Sequence, residues 1–153
     1  MNQEFASLVR AFRESGRPWA VTGSWAVKLH AEKAGLQPHR TPRDFDFVVR
    51  ASGFNAFIKI LLEHGYRFGD RGPPLITANR SPEKVTMHKG HFEVDLLRAG
   101  SRLAPSIHSV ELYKGIPVAS VKNMMQLKRN ILWTLNNKKA RENLNFLNAL
   151  STW

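Results

Sequence analysis

Residues 43–50, with the sequence RDFDFVVR, constrain the fold more than any other part of the chain. Two aspartates, Asp44 and Asp46, alternate there with two phenylalanines. Successive side chains of an extended strand point to opposite faces of a sheet. Phe45 and Phe47 therefore predict a buried face, and the aspartates predict an opposite face with paired carboxylates. The apolar residues that follow favour a central strand over the alternative, an edge strand with ordinary surface acids.

Paired carboxylates on one strand have a chemical consequence. Two such groups held side by side repel each other unless a cation joins them. Mg²⁺ takes hard oxygen ligands and commonly bridges protein carboxylates to substrate phosphates. The pair formed by Asp44 and Asp46 therefore predicts metal-dependent phosphoryl chemistry.

Length and composition indicate an ordinary globular protein. The 153 residues suffice for one domain with its own core. There is no cysteine, so disulfide bonds and thiolate metal ligands are excluded. No stretch approaches the roughly 20 apolar residues of a membrane-spanning helix, and residues 1–15 lack the apolar core of a signal peptide. We expect a single cytoplasmic domain, residues 1–153, without a membrane partner.

The net charge of +11 is unevenly distributed. Between residues 112 and 153, seven lysines and arginines occur with one acid, Glu142, which leaves this segment with a charge of +6. A basic segment of this kind favours a polyanionic partner through steering and counterion release. The alternative is a solvated helix face in a protein that happens to be basic.

Hydrophobic periodicity and turn residues predict an α+β domain. Apolar spacing indicates three helices, at 2–15, from 23 to about 34, and from 54 to 65. Strand patterns occur at 19–22, 44–50, 66–68, 75–78, 84–88, 91–97, 107–113 and 116–119, and those at 84–88 and 91–97 form a hairpin. This order predicts a mixed sheet with packed helices, with a core of about 17–119 and a C-terminal helical pair at about 120–151.

Two further segments carry candidate site residues. In VTGSWAVKLH, a strand ends at Gly23 and Ser24 where a helix begins, so free backbone amides lie at a helix N-terminus and predict an anion site. Alternatively, Ser24 only caps the helix. In HFEVDLL, Asp95 lies between apolar residues, and a buried carboxylate needs a partner. Glu93 shares the face of Asp95, and either acid could instead face solvent.

The ordered set of a Gly-Ser turn at a helix start, an Asp-x-Asp strand and a later Asp resembles the nucleotidyltransferase superfamily of the DNA-polymerase-beta type. It is most similar to the small antibiotic nucleotidyltransferases and to the abortive-infection and toxin-antitoxin branch, in which an arginine-rich loop precedes the Asp pair. The segment GIPVASVKNMMQLKRNIL also resembles that branch. The resemblance covers about residues 17–150.

This resemblance implies roles for two groups of residues. The metal ligands, which hold Mg²⁺ or Mn²⁺ together with a nucleoside triphosphate such as ATP, are Asp44, Asp46 and Asp95. Of these, Asp95 also helps to deprotonate the acceptor hydroxyl. The residues that contact phosphate are Gly23 and Ser24, with Arg40, Arg43 and Lys128 as further candidates. Alternatively, the arginines only neutralise the acids.

The reaction implied is the transfer of a nucleoside monophosphate from a triphosphate to an acceptor hydroxyl. The positive charge of the chain favours RNA, such as tRNA, or a protein as the acceptor, and it disfavours a small cationic antibiotic. The alternatives are an inactive module that binds nucleic acid or protein, a small-molecule transferase, and a structural domain whose acids pair with arginines. A toxin-like role with an antitoxin partner is consistent with the resemblance, and the sequence leaves the oligomeric state open.

Overall fold

The computed structural model describes residues 2–36, 42–77, 81–104, 110–122 and 124–125. Its helices are α1 (Gln3–Glu14), α2 (Gly23–Lys33) and α3 (Phe54–Glu63), with a 3-10 turn (Ala51–Gly53) before α3. Its strands are β1 (Trp19–Thr22), β2 (Asp44–Val49), β3 (Arg67–Phe68), β4 (Lys84–Lys89), β5 (Phe92–Arg98), β6 (Val110–Tyr113) and β7 (Ile116–Ala119).

The strands form one mixed sheet in the order β3-β4-β5-β2-β1-β7-β6. The central strand β2 runs antiparallel to β1 and parallel to β5. Strand β1 is parallel to β7, while the pairs β3 with β4, β4 with β5, and β6 with β7 are antiparallel. The parallel pairing of β2 and β5 follows from the long connection between them, which passes through α3 and the outer strands. The mixed sheet with packed helices confirms the predicted α+β class.

The three helices pack on one face of the sheet around an aromatic core. Phe5 of α1 stacks on Trp25 of α2, with 4.2 Å between the ring centroids. Phe12 lies about two turns further along α1. Its ring centroid is 4.5 Å from that of Phe47 of β2 and 4.8 Å from that of Phe57 of α3. The fully buried Phe47 thus packs directly against the helical layer, through Phe12 of α1.

A smaller apolar cluster lies on the opposite face. Val48 and Leu97, which pair across β2 and β5, are buried there together with Ala104. Ala99 and Leu103 pack against them. The segment after β5 therefore returns over one end of this second face, next to the strand positions that carry the acids.

Most predicted elements are confirmed. The helices predicted at 2–15, 23–34 and 54–65 and the hairpin all form, with ends that differ by at most two residues. The strand predicted at 75–78 is wrong for residues 75 and 76, which follow Pro73 and Pro74 and belong to no strand. Proline cannot donate a hydrogen bond to a neighbouring strand, so it disfavours pairing here.

The predicted C-terminal helical pair lies mostly outside the described residues, as do residues 107–109 of the strand predicted at 107–113. Within 120–151, residues 121, 122, 124 and 125 are helical. The single-domain boundaries therefore remain a prediction. In the portion of the chain that the structure describes, no helix is both long and apolar enough to cross a membrane.

The aromatic core predicts a large effect of truncating Phe47. Because this ring is fully buried against aromatic neighbours from α1 and β1, Phe47→Ala should lower the free energy of unfolding by about 3–5 kcal/mol. Leu75 is 76% exposed, so Leu75→Ala should change it by less than about 0.5 kcal/mol. Urea denaturation followed by circular dichroism measures both. Equal effects of the two substitutions would contradict the described core.

Candidate active site

Four carboxylates meet on the face of the sheet that points away from the helices. In the parallel register of β2 and β5, Asp44 pairs with Glu93 and Asp46 pairs with Asp95. Neighbouring strands are about 4.8 Å apart, and residues two apart on one strand share a face. The four side chains therefore form a two-by-two array, and each is half-buried.

Threonines flank the central pair of this array. Thr22 of β1 is the register partner of Asp46, and Thr86 of β4 is the register partner of Asp95. The Thr86 hydroxyl donates a hydrogen bond to Asp95 Oδ1 at 2.5 Å. One row across four strands therefore presents a hydroxyl, two carboxylates and a second hydroxyl.

The second row of the array consists of Asp44 and Glu93, so it is also acidic. Burial raises the pKa of the Glu93 carboxyl, and the neighbouring Asp95 and Asp44 raise it further. His88 and Lys84, both on β4, act in the opposite direction. His88 Nδ1 lies 3.7 Å from Glu93 Oε1. The local charge of this face is thus opposite in sign to the net charge of the chain.

Gly23 places the start of α2 directly against the array. Its φ is +65°, in the left-handed region that favours glycine. A Cβ atom added there would lie 2.9 Å from Asp46 Cγ and still closer to Asp46 Oδ2. Only glycine therefore allows the turn and the carboxylate to approach this closely.

The residues at the start of α2 leave its N-terminus suited to anions. The N-cap is Thr22, whose side chain makes no capping hydrogen bond, and the first turn carries no acid. Ser24 is a buried residue inside the helix, so the alternative in which it caps the helix is wrong. The backbone amides and dipole of such a terminus favour phosphate binding.

The donor set fits a hard divalent cation that is bound together with a nucleotide. Asp44, Asp46 and Asp95 offer oxygen ligands on one face of adjacent strands. Among the described residues, no group of three or more His, Cys, Asp or Glu side chains is arranged so that it could hold a metal ion by itself. Mg²⁺ usually takes one or two carboxylates and completes its shell with water and substrate phosphates. The arrangement therefore matches Mg²⁺ or Mn²⁺ carried by a triphosphate.

The structure brings together five of the residues proposed from sequence: Gly23, Ser24, Asp44, Asp46 and Asp95. Arg43 is exposed and immediately precedes β2. Arg40 and Lys128 lie outside the described residues. The chemical roles of all eight remain predictions.

Glu93 of the array and Thr86 beside it were given no role in the site from sequence. Glu93 lies two positions before Asp95, and its place on the same face was visible from strand alternation. The predicted hairpin, with Lys89 and Gly90 as its turn, would pair residue 88 with residue 91 and so place Thr86 opposite Glu93, whereas the structure pairs Lys89 with Phe92 and Thr86 with Asp95. Alternation within one strand was thus enough to place Glu93, whereas the position of Thr86 depends on the register between two strands.

The fold as a whole is similar to solved structures of antibiotic nucleotidyltransferases. The lincomycin-bound crystal structure of the lincosamide antibiotic adenylyltransferase LnuA superposes with a TM-score of 0.65 at 14% identity, covering 98% of both chains. The solution structure of the antibiotic-resistance factor ANT(2'')-Ia gives 0.63 at 14% identity, covering 95% of this chain and 80% of that chain. Its crystal structure in complex with adenylyl-2''-tobramycin gives 0.62 at 14% identity, covering 97% and 91%.

These comparisons show that the chain has the nucleotidyltransferase fold, which confirms at the level of fold the resemblance drawn from sequence motifs. No protein-family model and no curated protein sequence matches the chain. The likeness shown by the comparisons is thus one of fold.

The contact between Gly23 and Asp46 predicts a specific cost of adding one methyl group. Gly16 has nearly the same φ, +67°, and no atom within 4 Å of a Cβ, so Gly16→Ala measures the left-handed conformation alone, about 1–2 kcal/mol. Gly23→Ala adds the collision with Asp46 and should cost about 1–3 kcal/mol more in the free energy of unfolding. Urea denaturation of both variants gives the difference. Equal costs would show that the turn does not contact Asp46.

Proposed function

We propose that this chain is an enzyme that transfers a nucleoside monophosphate from a nucleoside triphosphate to a hydroxyl group of a small-molecule acceptor. The observation that carries the proposal is the placement of Asp46 and Asp95 side by side against the N-terminus of α2. This arrangement occurs in a chain whose fold matches nucleotidyltransferases over nearly its whole length.

The start of α2 forms the phosphate side of the site. Backbone amides at Gly23 and Ser24 contact the terminal phosphates, and Asp46 lies beside them. Asp44, Asp46 and Asp95 would hold the divalent cation, which would supply neutralisation of the phosphate charge when bound. The exposed Arg43 is the described candidate for a further phosphate contact.

Asp95 forms the acceptor side. It is one strand further from α2 than Asp46, so a triphosphate held at α2 leaves Asp95 next to the incoming hydroxyl. The hydroxyl oxygen forms a bond to the α-phosphorus, and the bond from that phosphorus to the bridging oxygen breaks. Pyrophosphate leaves with the electron pair of that bond, and the hydroxyl proton passes to the Asp95 carboxylate.

Two observations support a small molecule as the acceptor. The similar structures are described with lincomycin and with adenylyl-2''-tobramycin, which are small molecules, and LnuA is described as an adenylyltransferase. ATP is accordingly the proposed donor. In addition, Glu93, the acid of the array that holds no cation in this proposal, would repel the phosphates of an incoming nucleic acid.

The expectation of an RNA or protein acceptor rested on the charge of residues 112–153. Most of that segment lies outside the described residues, and nothing in the comparisons supports RNA, a protein acceptor or an antitoxin partner. The small-molecule alternative is better supported. The argument against cationic acceptors also weakens, because at physiological salt charges are screened over about 8 Å, so the local acids outweigh the net charge.

Loss of one central carboxylate should abolish cation-dependent nucleotide binding and transfer. Asp46→Asn keeps the side-chain size but removes the charge that holds the cation against α2, so transfer should fall about 1,000-fold, which is about 4 kcal/mol of transition-state stabilisation. Titration of ATP with and without Mg²⁺ measures binding, and release of pyrophosphate measures transfer. Asp70→Asn, at an exposed turn, should behave as the parent does. Full activity of Asp46→Asn would refute the assignment.

The acceptor can be identified by transfer of label from ATP. We expect labelled ATP and Mg²⁺ to modify a member of a panel of hydroxyl-bearing lincosamides and aminoglycosides, with the product found by mass spectrometry. Total cellular RNA and protein extract form the parallel arms. If the label appeared in RNA or protein and in none of the antibiotics, the proposal of a small-molecule acceptor would be wrong. An RNA or protein acceptor, as first expected from the charge of the chain, would then be supported.

A further inference from the structure

Asp95 has different neighbours on its two sides. Towards β2 it faces another carboxylate, that of Asp46, and Glu93 is two positions before it on its own strand. Towards β4 it meets the hydroxyl of Thr86. Because carboxylates repel each other, the β4 side offers the one attractive contact that the structure describes for this side chain.

The contact between Thr86 and Asp95 has the geometry of a strong hydrogen bond. Its length of 2.5 Å is at the short end of the range for a hydroxyl donating to a charged oxygen. Threonine is branched at Cβ and therefore stiff at χ1, so the hydroxyl is held where the strand backbone places it. Both residues are half-buried in the middle of paired strands. The sheet therefore fixes the donor before any substrate arrives.

From this geometry we propose that Thr86 is a positioning residue for nucleotidyl transfer and acts by orienting Asp95. The inference rests on the proposed function, in which Asp95 accepts the proton of the acceptor hydroxyl. Thr86 engages Oδ1, so Oδ2 is the oxygen that receives the proton as the hydroxyl oxygen bonds to the α-phosphorus and pyrophosphate leaves. Without Thr86, repulsion by Asp46 and Glu93 would turn the carboxylate away from the reacting hydroxyl.

The neighbouring pair on the same strands provides an internal comparison. His88 is on the same face of β4 as Thr86 and pairs with Glu93, but its separation from that carboxylate is 3.7 Å and its side chain is 48% exposed. The longer, more solvated contact constrains Glu93 less than Thr86 constrains Asp95. A change at His88 therefore tests whether any alteration of this face of β4 impairs transfer.

The experiment removes the hydroxyl while preserving shape. Thr86→Val keeps the volume and the β-branching, and its kcat should fall about 10- to 100-fold, as is typical when a group that orients a reactive or metal-binding side chain is lost. The KM for ATP should change by less than kcat, because Gly23, Ser24 and Asp46 on the phosphate side are unchanged. Thr86→Ser should restore kcat, and His88→Ala should leave it at the parent value.

A second measurement requires neither nucleotide nor metal. In urea denaturation of the free protein, Thr86→Val and Asp95→Ala should have non-additive effects on stability, because each removes one partner of the same hydrogen bond. Should Thr86→Val fail to fold, Thr86→Ala takes its place in both assays.

The outcomes separate this inference from the proposed function. Absence of transfer by the parent protein would overturn the proposed function, whereas an active parent with an unchanged kcat in Thr86→Val would overturn only the role of Thr86. Equal losses in Thr86→Val and Thr86→Ser, or an equal loss in His88→Ala, would also overturn it. Additive effects in the denaturation cycle would show that the hydrogen bond does not form in solution.

Discussion

The parallel register between β2 and β5 is the constraint on which the rest of this molecule depends. It buries Phe45 and Phe47 beside Val94 and Leu96, all fully excluded from solvent, under the helical layer. Burying each such side chain contributes about 1.5–3 kcal/mol. A slip by one residue would send the apolar side chains to the other face and drive the acids into the core. Since a buried unpaired charge costs several kcal/mol, the core itself enforces the geometry of the carboxylate array.

The same register concentrates negative charge in a strongly basic chain. Glu93 shows the consequence, since burial and its acidic neighbours raise its pKa. Repulsion of this kind opposes folding, and the aromatic layer formed by Phe5, Phe12 and Trp25 on the opposite face supplies stability that offsets it. The two faces of the sheet therefore have different roles. One face holds the fold together, and the other presents charges that a cation and a nucleotide can satisfy.

Strand alternation was enough to predict which side chains of β2 face inward, and turn residues were enough to predict the hairpin of β4 and β5. The ordered motif at Gly23, Asp44, Asp46 and Asp95 was enough to predict the fold. Strand pairing between distant segments was not accessible, because period-two patterns assign a face to each residue but no neighbour. For that reason the sequence indicated neither the pairing of Glu93 with Asp44 nor the left-handed contact of Gly23 with Asp46.

The charge of the chain was a weak guide to the acceptor for a related reason. The net charge does not record where the charged residues lie in the fold. Because salt screens charges over about 8 Å, the location of those residues decides which ligands they attract. The basic residues of 112–153 therefore say little about what approaches Asp46 and Asp95, whose described neighbours include two further acids.

The site is asymmetric across the sheet, and this asymmetry suggests a direction for the reaction. On the β1 side, the N-terminus of α2 brings backbone amides and no acid in its first turn against Asp46. On the β4 side, Thr86 contacts Asp95 and the half-exposed His88 lies near Glu93. Phosphates are favoured at the first side by the helix dipole and disfavoured at the second by the carboxylates. In the proposed function, a triphosphate and an acceptor would therefore lie on opposite sides of the central pair, and an acceptor that carried phosphates of its own would compete with the triphosphate for the side at α2.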